Sequence, residues 1–201
     1  MAKRVYIIIG ITFIFLLAII LRYFNFNLNP TEDEMKFKTS YEMLNNTISE
    51  DGNNYLSVSI KKDNKIKYIK VEDVENIYKK GTHLVLIASP YDPVSRAYIE
   101  PIIDAIRDSS IDEVYYLEVS YKDEKNYSEL VKALDEDVLV LPRVDGIKDG
   151  EVIGVIEPSY DISDELIHNG LDEAKKDEIK GATANLIKSL KEDKKVCEDE
   201  C

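Results

Sequence analysis

The chain has 201 residues, of which 44% are apolar and 32% are charged, a composition typical of a folded protein rather than a disordered one. Its 39 acidic residues outnumber its 26 basic residues and give a net charge of −13. This charge argues against nucleic-acid binding, which needs Lys and Arg to neutralise phosphates. Two cysteines are too few for a disulfide-framework miniprotein or for a four-cysteine zinc site.

The first predicted element is an apolar segment near the N-terminus. Residues 5–21 carry no charge, and as a helix they would measure about 25 Å, close to the lower limit for crossing a bilayer. Lys3 and Arg4 precede the segment and acidic residues follow it, which favours a cytoplasmic N-terminus. Because no small-residue cleavage site follows, we predict an uncleaved transmembrane signal-anchor over residues 1–24. The protein is therefore predicted to be a single-pass cell-membrane protein whose C-terminal domain lies outside the cytoplasm.

Five elements are predicted between this anchor and residue 81: a polar tether, a short helix, two strands and a second helix. In chain order they span residues 25–40, 41–48, 55–60, 66–71 and 71–80. The first strand is predicted from the alternation of apolar and polar residues, and residues 66–71 form a second extended stretch. The second helix ends at Gly81, a residue type suited to the position just after a helix.

From residue 83 onward, strands and helices alternate. The strands are predicted at residues 83–88, 113–119, 144–147 and 152–156, and the helices at residues 93–107, 127–134 and 163–192. The first of these strands is continuously apolar, as in a strand buried on both faces, and the last two flank a tight turn and form a hairpin. The order β-α-β-α-β-β-α predicts an α/β fold, a central mixed sheet flanked by helices. The folded domain is predicted over residues 41–192, with an acidic, Cys-containing tail over residues 193–201.

Two corners of this pattern carry a resemblance to a known family. The first lies between the buried strand and the next helix, where thioredoxin-like proteins place Cys-x-x-Cys; here it reads Asp92-Pro93-Val94-Ser95. The second is Leu141-Pro142, at the position of the family's cis-proline, and Gly150 follows eight residues later at the hairpin turn. Over residues 66–192 the chain resembles the thioredoxin-like superfamily, in particular the membrane-anchored, extracytoplasmic bacterial proteins that include bacteriocin-transport accessory proteins.

The resemblance implies the family's fold without its redox chemistry. In the family, a thiol at the helix N-terminus has a lowered pKa, its thiolate attacks a disulfide, and a second thiol resolves the product. Asp92 and Ser95 stand at the two thiol positions and perform neither step. Asp92 followed by Pro93 instead predicts a helix start, with the carboxylate as N-cap and the proline at the first helical position. Ser95 lacks a marked base, and we interpret His83 and His168 as ordinary structural or surface residues.

The residues after Pro142 depart from the family pattern, which implies an apolar strand there. Because strand residues alternate in direction, Arg143 and Asp145 are predicted to share one face. Gly146 inside the strand indicates either a weakened strand or a close approach of another element. One hypothesis is that Arg143 forms an ion pair with Asp92 across the corner. The predicted contacts of a protein or extended-peptide partner are Tyr91, Leu141 and Arg143.

The only two cysteines of the chain, Cys197 and Cys201, lie at its C-terminal end. On a helix their Cα atoms would lie about 6 Å apart, within disulfide range, and an exported location favours oxidation. The neighbouring acidic residues disfavour a thiolate. Three interpretations stay open: a disulfide or free thiols without function, a redox-active pair, and metal binding, for which two thiolates are half a zinc site.

Three functions are compatible with these features. The prediction is a redox-inactive, membrane-tethered binding or accessory module with an extracytoplasmic protein or peptide partner, no nucleic acid, no cofactor and no metal. The alternative is a thiol–disulfide oxidoreductase that uses Cys197 and Cys201. The third is a structural or envelope-assembly protein that inherited the fold.

Overall fold

The computed structural model describes residues 30–50, 52–120, 122–158 and 169–192. The helices in this part of the chain are α1 (Glu32–Glu42), α2 (Val71–Lys79), α3 (Pro93–Asp108), α4 (Glu124–Ala133) and α5 (Glu173–Lys191). The strands are β1 (Ile66–Tyr68), β2 (His83–Ala88), β3 (Val114–Glu118), β4 (Arg143–Lys148) and β5 (Glu151–Ile156). No helix within these ranges is both long enough and apolar enough to span a bilayer. The predicted signal-anchor, His168 and the cysteine tail lie outside the described residues.

The strands form one five-stranded mixed sheet in the order β1-β3-β2-β4-β5. β1, β3 and β2 run parallel, whereas β4 is antiparallel to both β2 and β5. Among the described residues from β2 onward the element order is β-α-β-α-β-β-α, and β4 and β5 form the predicted hairpin. The α/β class and the sheet flanked by helices are therefore confirmed.

The turn of this hairpin depends on a glycine. Gly150 has a φ of 79°, in the left-handed region that side chains disfavour, and its N–H donates to the backbone oxygen of Gly81 at 3.2 Å. A Cβ atom at this position would lie 2.5 Å from the backbone oxygen of Lys79, at the end of α2. Only glycine allows the turn to approach α2 this closely.

The sheet separates two apolar clusters, one on each face. The larger cluster packs α1, α3 and α5 against the sheet and includes Phe37, Ile102, Tyr116, Val144 and Leu186. The smaller cluster packs α2 and α4 on the opposite face and includes Val74, Val85, Leu130, Leu141 and Ile147. The continuous apolar run of β2 follows from this arrangement, because its residues alternate between the two clusters.

The N-terminal part of the domain differs from the prediction. Helix α1 occupies residues 32–42, where a polar tether was predicted, and the chain turns after Glu42 where a helix over residues 41–48 was predicted. Only two of the eleven residues of α1 are buried, Phe37 and Tyr41, which lie one helical turn apart. The ring centroid of Phe37 lies 4.8 Å from that of Tyr116 on β3. So small an apolar stripe left little helical signal in the sequence, although it attaches α1 to the core.

Residues 55–60 form no strand, although alternation predicted one. Val58 and Ile60 are buried as the alternation indicates, but side chains satisfy their backbone groups. The Asn45 side chain bonds both the N–H and the C=O of Val58, and Glu42 accepts from the N–H of Ile60 at 2.8 Å. The segment is therefore extended and half-buried without a neighbouring strand.

The last helix begins later than predicted. Gly170 has a φ of 76°, and the Asp172 side chain caps α5 by accepting from the N–H of Lys175 at 2.7 Å. A single helix over residues 163–192 is therefore wrong in its described part.

Candidate functional site

The candidate site is the corner where β2 ends and α3 begins. The Asp92 carboxylate accepts from the N–H of Ser95 at 2.6 Å, and Pro93 occupies the first helical position. This is the N-cap arrangement that the Asp-Pro pair predicts. A carboxylate of the chain itself therefore stabilises the partial positive charge at the start of this 16-residue helix.

The electrostatics of Asp92 are those of a half-buried acid with no basic partner among the described residues. Burial raises the pKa of its carboxyl, and the hydrogen bonds from Ser95 oppose this only in part. The folded protein thus holds a proton at Asp92 more tightly than the unfolded chain does. The contribution of Asp92 to the free energy of unfolding consequently falls as pH rises from about 4 through the raised pKa.

Replacing Asp92 by asparagine gives a direct test of this pKa. An asparagine side chain would cap the helix about as well, so Asp92→Asn is expected to gain stability relative to the native protein as pH rises from about 4 to about 7. Asp92→Ala is expected to lose about 1 kcal/mol because the cap is removed. Urea denaturation at both pH values measures these differences, and a difference between Asp92→Asn and the native protein that does not change with pH would contradict the raised pKa.

Ser95, at the second position where the resemblance would place a thiol, is fully buried. Its hydroxyl oxygen accepts from the N–H of Ser89 at 3.3 Å. His83 stands at the opposite end of β2, about 17 Å along the strand from Ala88, and its ring packs on Tyr115. Ser95 therefore stabilises the corner, and no described histidine serves it as a base.

Pro142 lies at the same end of the sheet as this corner. At this end of the sheet the outermost pair of β2 and β4 is Ile87 with Arg143. Pro142 directly precedes Arg143 and therefore lies just beyond this pair. The Leu141-Pro142 peptide bond is cis, as the resemblance implied.

Arg143 does not pair with Asp92, so the hypothesis of an ion pair across the corner is wrong. Its guanidinium donates to Asp145 at 2.7 Å and to Glu136 at 2.7 Å. Asp145 is fully buried and also accepts a hydrogen bond from the Tyr78 hydroxyl. Burial alone would lower the pKa of the Arg143 guanidinium, but the Asp145 and Glu136 carboxylates outweigh this and raise it. Arg143, the partner predicted for Asp92, is thus already paired with Asp145 on β4 and with Glu136 before β4.

Beside the corner lies an open groove of about 730 Å³, within the usual size of ligand sites. We define the corner groove by its lining: part of residues 44–56 on one side, Ser89, Tyr91, Asp92 and Pro93 at the start of α3, and Ser120 and Lys122 after β3. Ile48 and Tyr91 are exposed in it. Lys122 forms an ion pair with Glu50, which connects the two sides.

Arg96 fixes one side of this groove. Only 1% of its surface is exposed, and its guanidinium donates to four oxygens, none of them charged. These are the backbone oxygens of Leu56 (2.8 Å), Tyr41 (2.9 Å) and Pro90 (3.2 Å), and the side-chain oxygen of Asn45 (2.9 Å). The residue thereby connects the segment before β1 to the corner loop. Burial lowers the pKa of the Arg96 guanidinium.

Some of the predicted site residues line the corner groove and others do not. Tyr91, Asp92 and Pro93 line the corner groove, and Val94 is half-buried in the first turn of α3. Leu141 and Arg143 are buried and do not line it, so a direct contact of their side chains with a partner is not supported. Cys197 and Cys201 lie outside the described residues, within which no cluster of three or more metal-ligating side chains occurs.

Sequence reasoning missed Arg96 and the segment it holds. A signal was present, because Arg96 lies three and seven positions before Ile99 and Ile103, on the buried stripe of α3. An arginine at such a position must find oxygen acceptors inside the protein.

No family model matches the chain, and no curated protein matches it.

Proposed function

We propose that this chain is a membrane-anchored, extracytoplasmic thioredoxin-like protein that binds an extended segment of a partner protein in the corner groove, without thiol chemistry there. The observation that carries the proposal is the open groove beside a helix start whose two thiol positions hold Asp92 and Ser95. The element order from β2 and the meeting of both corners at one end of the β2–β4 pair support the resemblance. The location rests on the apolar segment at residues 5–21.

The chemistry at the corner supports binding rather than disulfide exchange. Exchange needs a thiolate that attacks and a second thiol that resolves. Asp92 uses its carboxylate to accept the N–H of Ser95, and the Ser95 hydroxyl is buried. Oxidoreductase activity of Cys197 and Cys201 stays a separate prediction about residues outside the described part.

The lining of the groove favours a polypeptide ligand. Exposed Ile48 and Tyr91 offer apolar contacts, and the same lining includes polar residues that can form hydrogen bonds with a peptide backbone: Thr47, Ser49, Asn54 and Ser120. The helix N-terminus, which usually attracts anions, already faces the Asp92 carboxylate. We therefore expect an extended, uncharged or basic segment rather than a phosphate or a carboxylate.

Selection of peptides against the purified full-length chain tests the proposal. We expect enriched peptides to lose about tenfold or more in affinity for Tyr91→Ala and Ile48→Ala, because exposed apolar anchors carry much of the energy of such interfaces. Fluorescence anisotropy of a labelled, enriched peptide measures the loss.

Val138→Ala is the matched control, since Val138 and Ile48 are each 67% exposed and Val138 does not line the groove. Its affinity is expected to equal that of the native chain. The proposal would be contradicted if no peptide were enriched, or if all three variants bound equally well.

A further inference from the structure

The strand β5 forms one edge of the sheet. In the described structure it pairs only with β4, in register from Val144 and Ile156 to Gly146 and Gly154. Every second residue of an edge strand directs its N–H and C=O away from its neighbour, so the outer side of β5 presents backbone groups to which another strand can bond.

Little in β5 blocks such pairing. Its sequence, EVIGVI, contains no proline and no lysine, the residues that commonly protect sheet edges. The irregularity between β4 and β5 lies opposite Gly146 and Ile147 and leaves residues 154–156 in regular register. The bulge at one end is therefore the feature of β5 that hinders pairing with a further strand.

The side chains of β5 are unusually apolar for an exposed strand. Val152, Ile153 and Val155 are between 38% and 46% exposed, and they account for three of the eight large apolar residues exposed in the described part of the chain. Val152 lies opposite Ile147 and Val155 opposite Asp145, so these two exposed side chains share one face of the sheet, and adjacent exposed apolar residues often mark interaction sites.

The charges around β5 indicate which occupant fits. Asp149 precedes the strand and Glu157 follows it, and both are exposed. Lys148, near the same turn, donates to the backbone oxygen of Glu192. A second copy paired edge to edge would bring acids against acids at both ends, whether parallel or antiparallel, and each copy carries a net charge of −13. A strand whose apolar residues are flanked by Lys or Arg would instead meet Glu157 at one end of β5, and at the other end Asp149 and Glu151, which outnumber Lys148.

We propose that the outer edge of β5 is a second interaction surface, which pairs with an extended, base-flanked apolar strand of a partner protein. It lies on a different part of the domain from the corner groove and does not depend on the function proposed for that groove. Strand addition would supply the affinity through backbone hydrogen bonds, and the flanking acids would supply the selectivity.

The test uses the full-length chain and the labelled peptide Lys-Lys-Val-Thr-Ile-Thr-Val-Lys-Lys. Fluorescence anisotropy is expected to show binding at least about tenfold tighter than that of the peptide with glutamates in place of its lysines. Binding is expected to weaken between about 0.05 M and about 0.5 M salt, because screening removes the attraction between flanking charges. N-methylation of alternate peptide nitrogens is expected to abolish binding, because it removes strand pairing.

Variants of the edge locate the binding. Val152→Lys and Ile153→Lys are each expected to lower the affinity about tenfold by placing a base against the basic peptide, and Val138→Lys, the matched exposed control, is expected to leave it unchanged. Equal binding by all three variants, or equal binding of the two peptides, would overturn the proposal. Sedimentation that shows a dimer of the native chain which Val152→Lys dissociates would assign the edge to a second copy and overturn it as well.

Discussion

Replacing Arg96 by methionine is expected to lower the free energy of unfolding by about 3–5 kcal/mol, because buried oxygens that lose their donors cost about 1–3 kcal/mol each. Four oxygens accept from this guanidinium, and three of them belong to the segment between α1 and β1 or to the end of α1. Arg96→Lys is expected to recover only part of the loss, since one ammonium cannot reproduce the planar fork of five N–H groups. Urea denaturation measures both values.

Arg107→Met is the matched control on the same helix. Arg107 pairs with Asp63 at the surface, and such pairs contribute at most about 1 kcal/mol. If Arg96→Met were no more destabilising than Arg107→Met, Arg96 would not be what holds the side of the corner groove.

Replacing Asp145 by asparagine is the second large effect, an expected loss of about 3–5 kcal/mol. The substitution keeps the shape of the side chain but leaves the Arg143 guanidinium, bonded to Asp145 at 2.7 Å, without its buried counter-charge. The half-exposed Glu136 is the other carboxylate within reach of Arg143 and offsets only part of this. Denaturation in urea at pH 7 gives the value.

A double variant measures the coupling between Arg143 and Asp145. Arg143→Met combined with Asp145→Leu is expected to cost less than the sum of the single changes, because neither charge is then buried alone. Glu113→Gln, which removes an exposed pair with Lys67, is the control and is expected to cost at most about 1 kcal/mol. Strictly additive losses at positions 143 and 145 would contradict the coupling.

The sheet was predictable because its strongest signals are local. The run His83–Ala88 is apolar at nearly every position, and the Lys148-Asp149-Gly150 turn determines where β4 and β5 meet. Residues 55–60 show the limit of this reasoning. Their alternation does reflect burial, but the partners of their backbone are the side chains of Glu42 and Asn45, which no local pattern announces.

The candidate site shows the same difference between contacts of adjacent residues, which were predictable, and contacts of distant residues, which were not. The cap formed by Asp92 depends on adjacent residues and was predicted, whereas the role of Arg96 depends on atoms 40 to 55 residues away and was not. The proposed pairing of Arg143 with Asp92 overlooked a nearer partner. Alternation had already placed Asp145 on the same face as Arg143, two residues away, and the structure pairs those two.

Reduction of insulin by dithiothreitol in the presence of the full-length chain tests most directly the proposal that the corner is thioredoxin-like in shape but lacks thiol chemistry. The native chain is expected to give the background rate, and the double variant Asp92→Cys/Ser95→Cys is expected to accelerate the reduction, because it supplies an attacking thiol and a resolving thiol at the helix start. Activity in the native chain that Cys197→Ser abolishes would contradict the proposed absence of thiol chemistry and make the C-terminal cysteines the working pair. A double variant that folds but stays inactive would contradict the resemblance of the corner to thioredoxin.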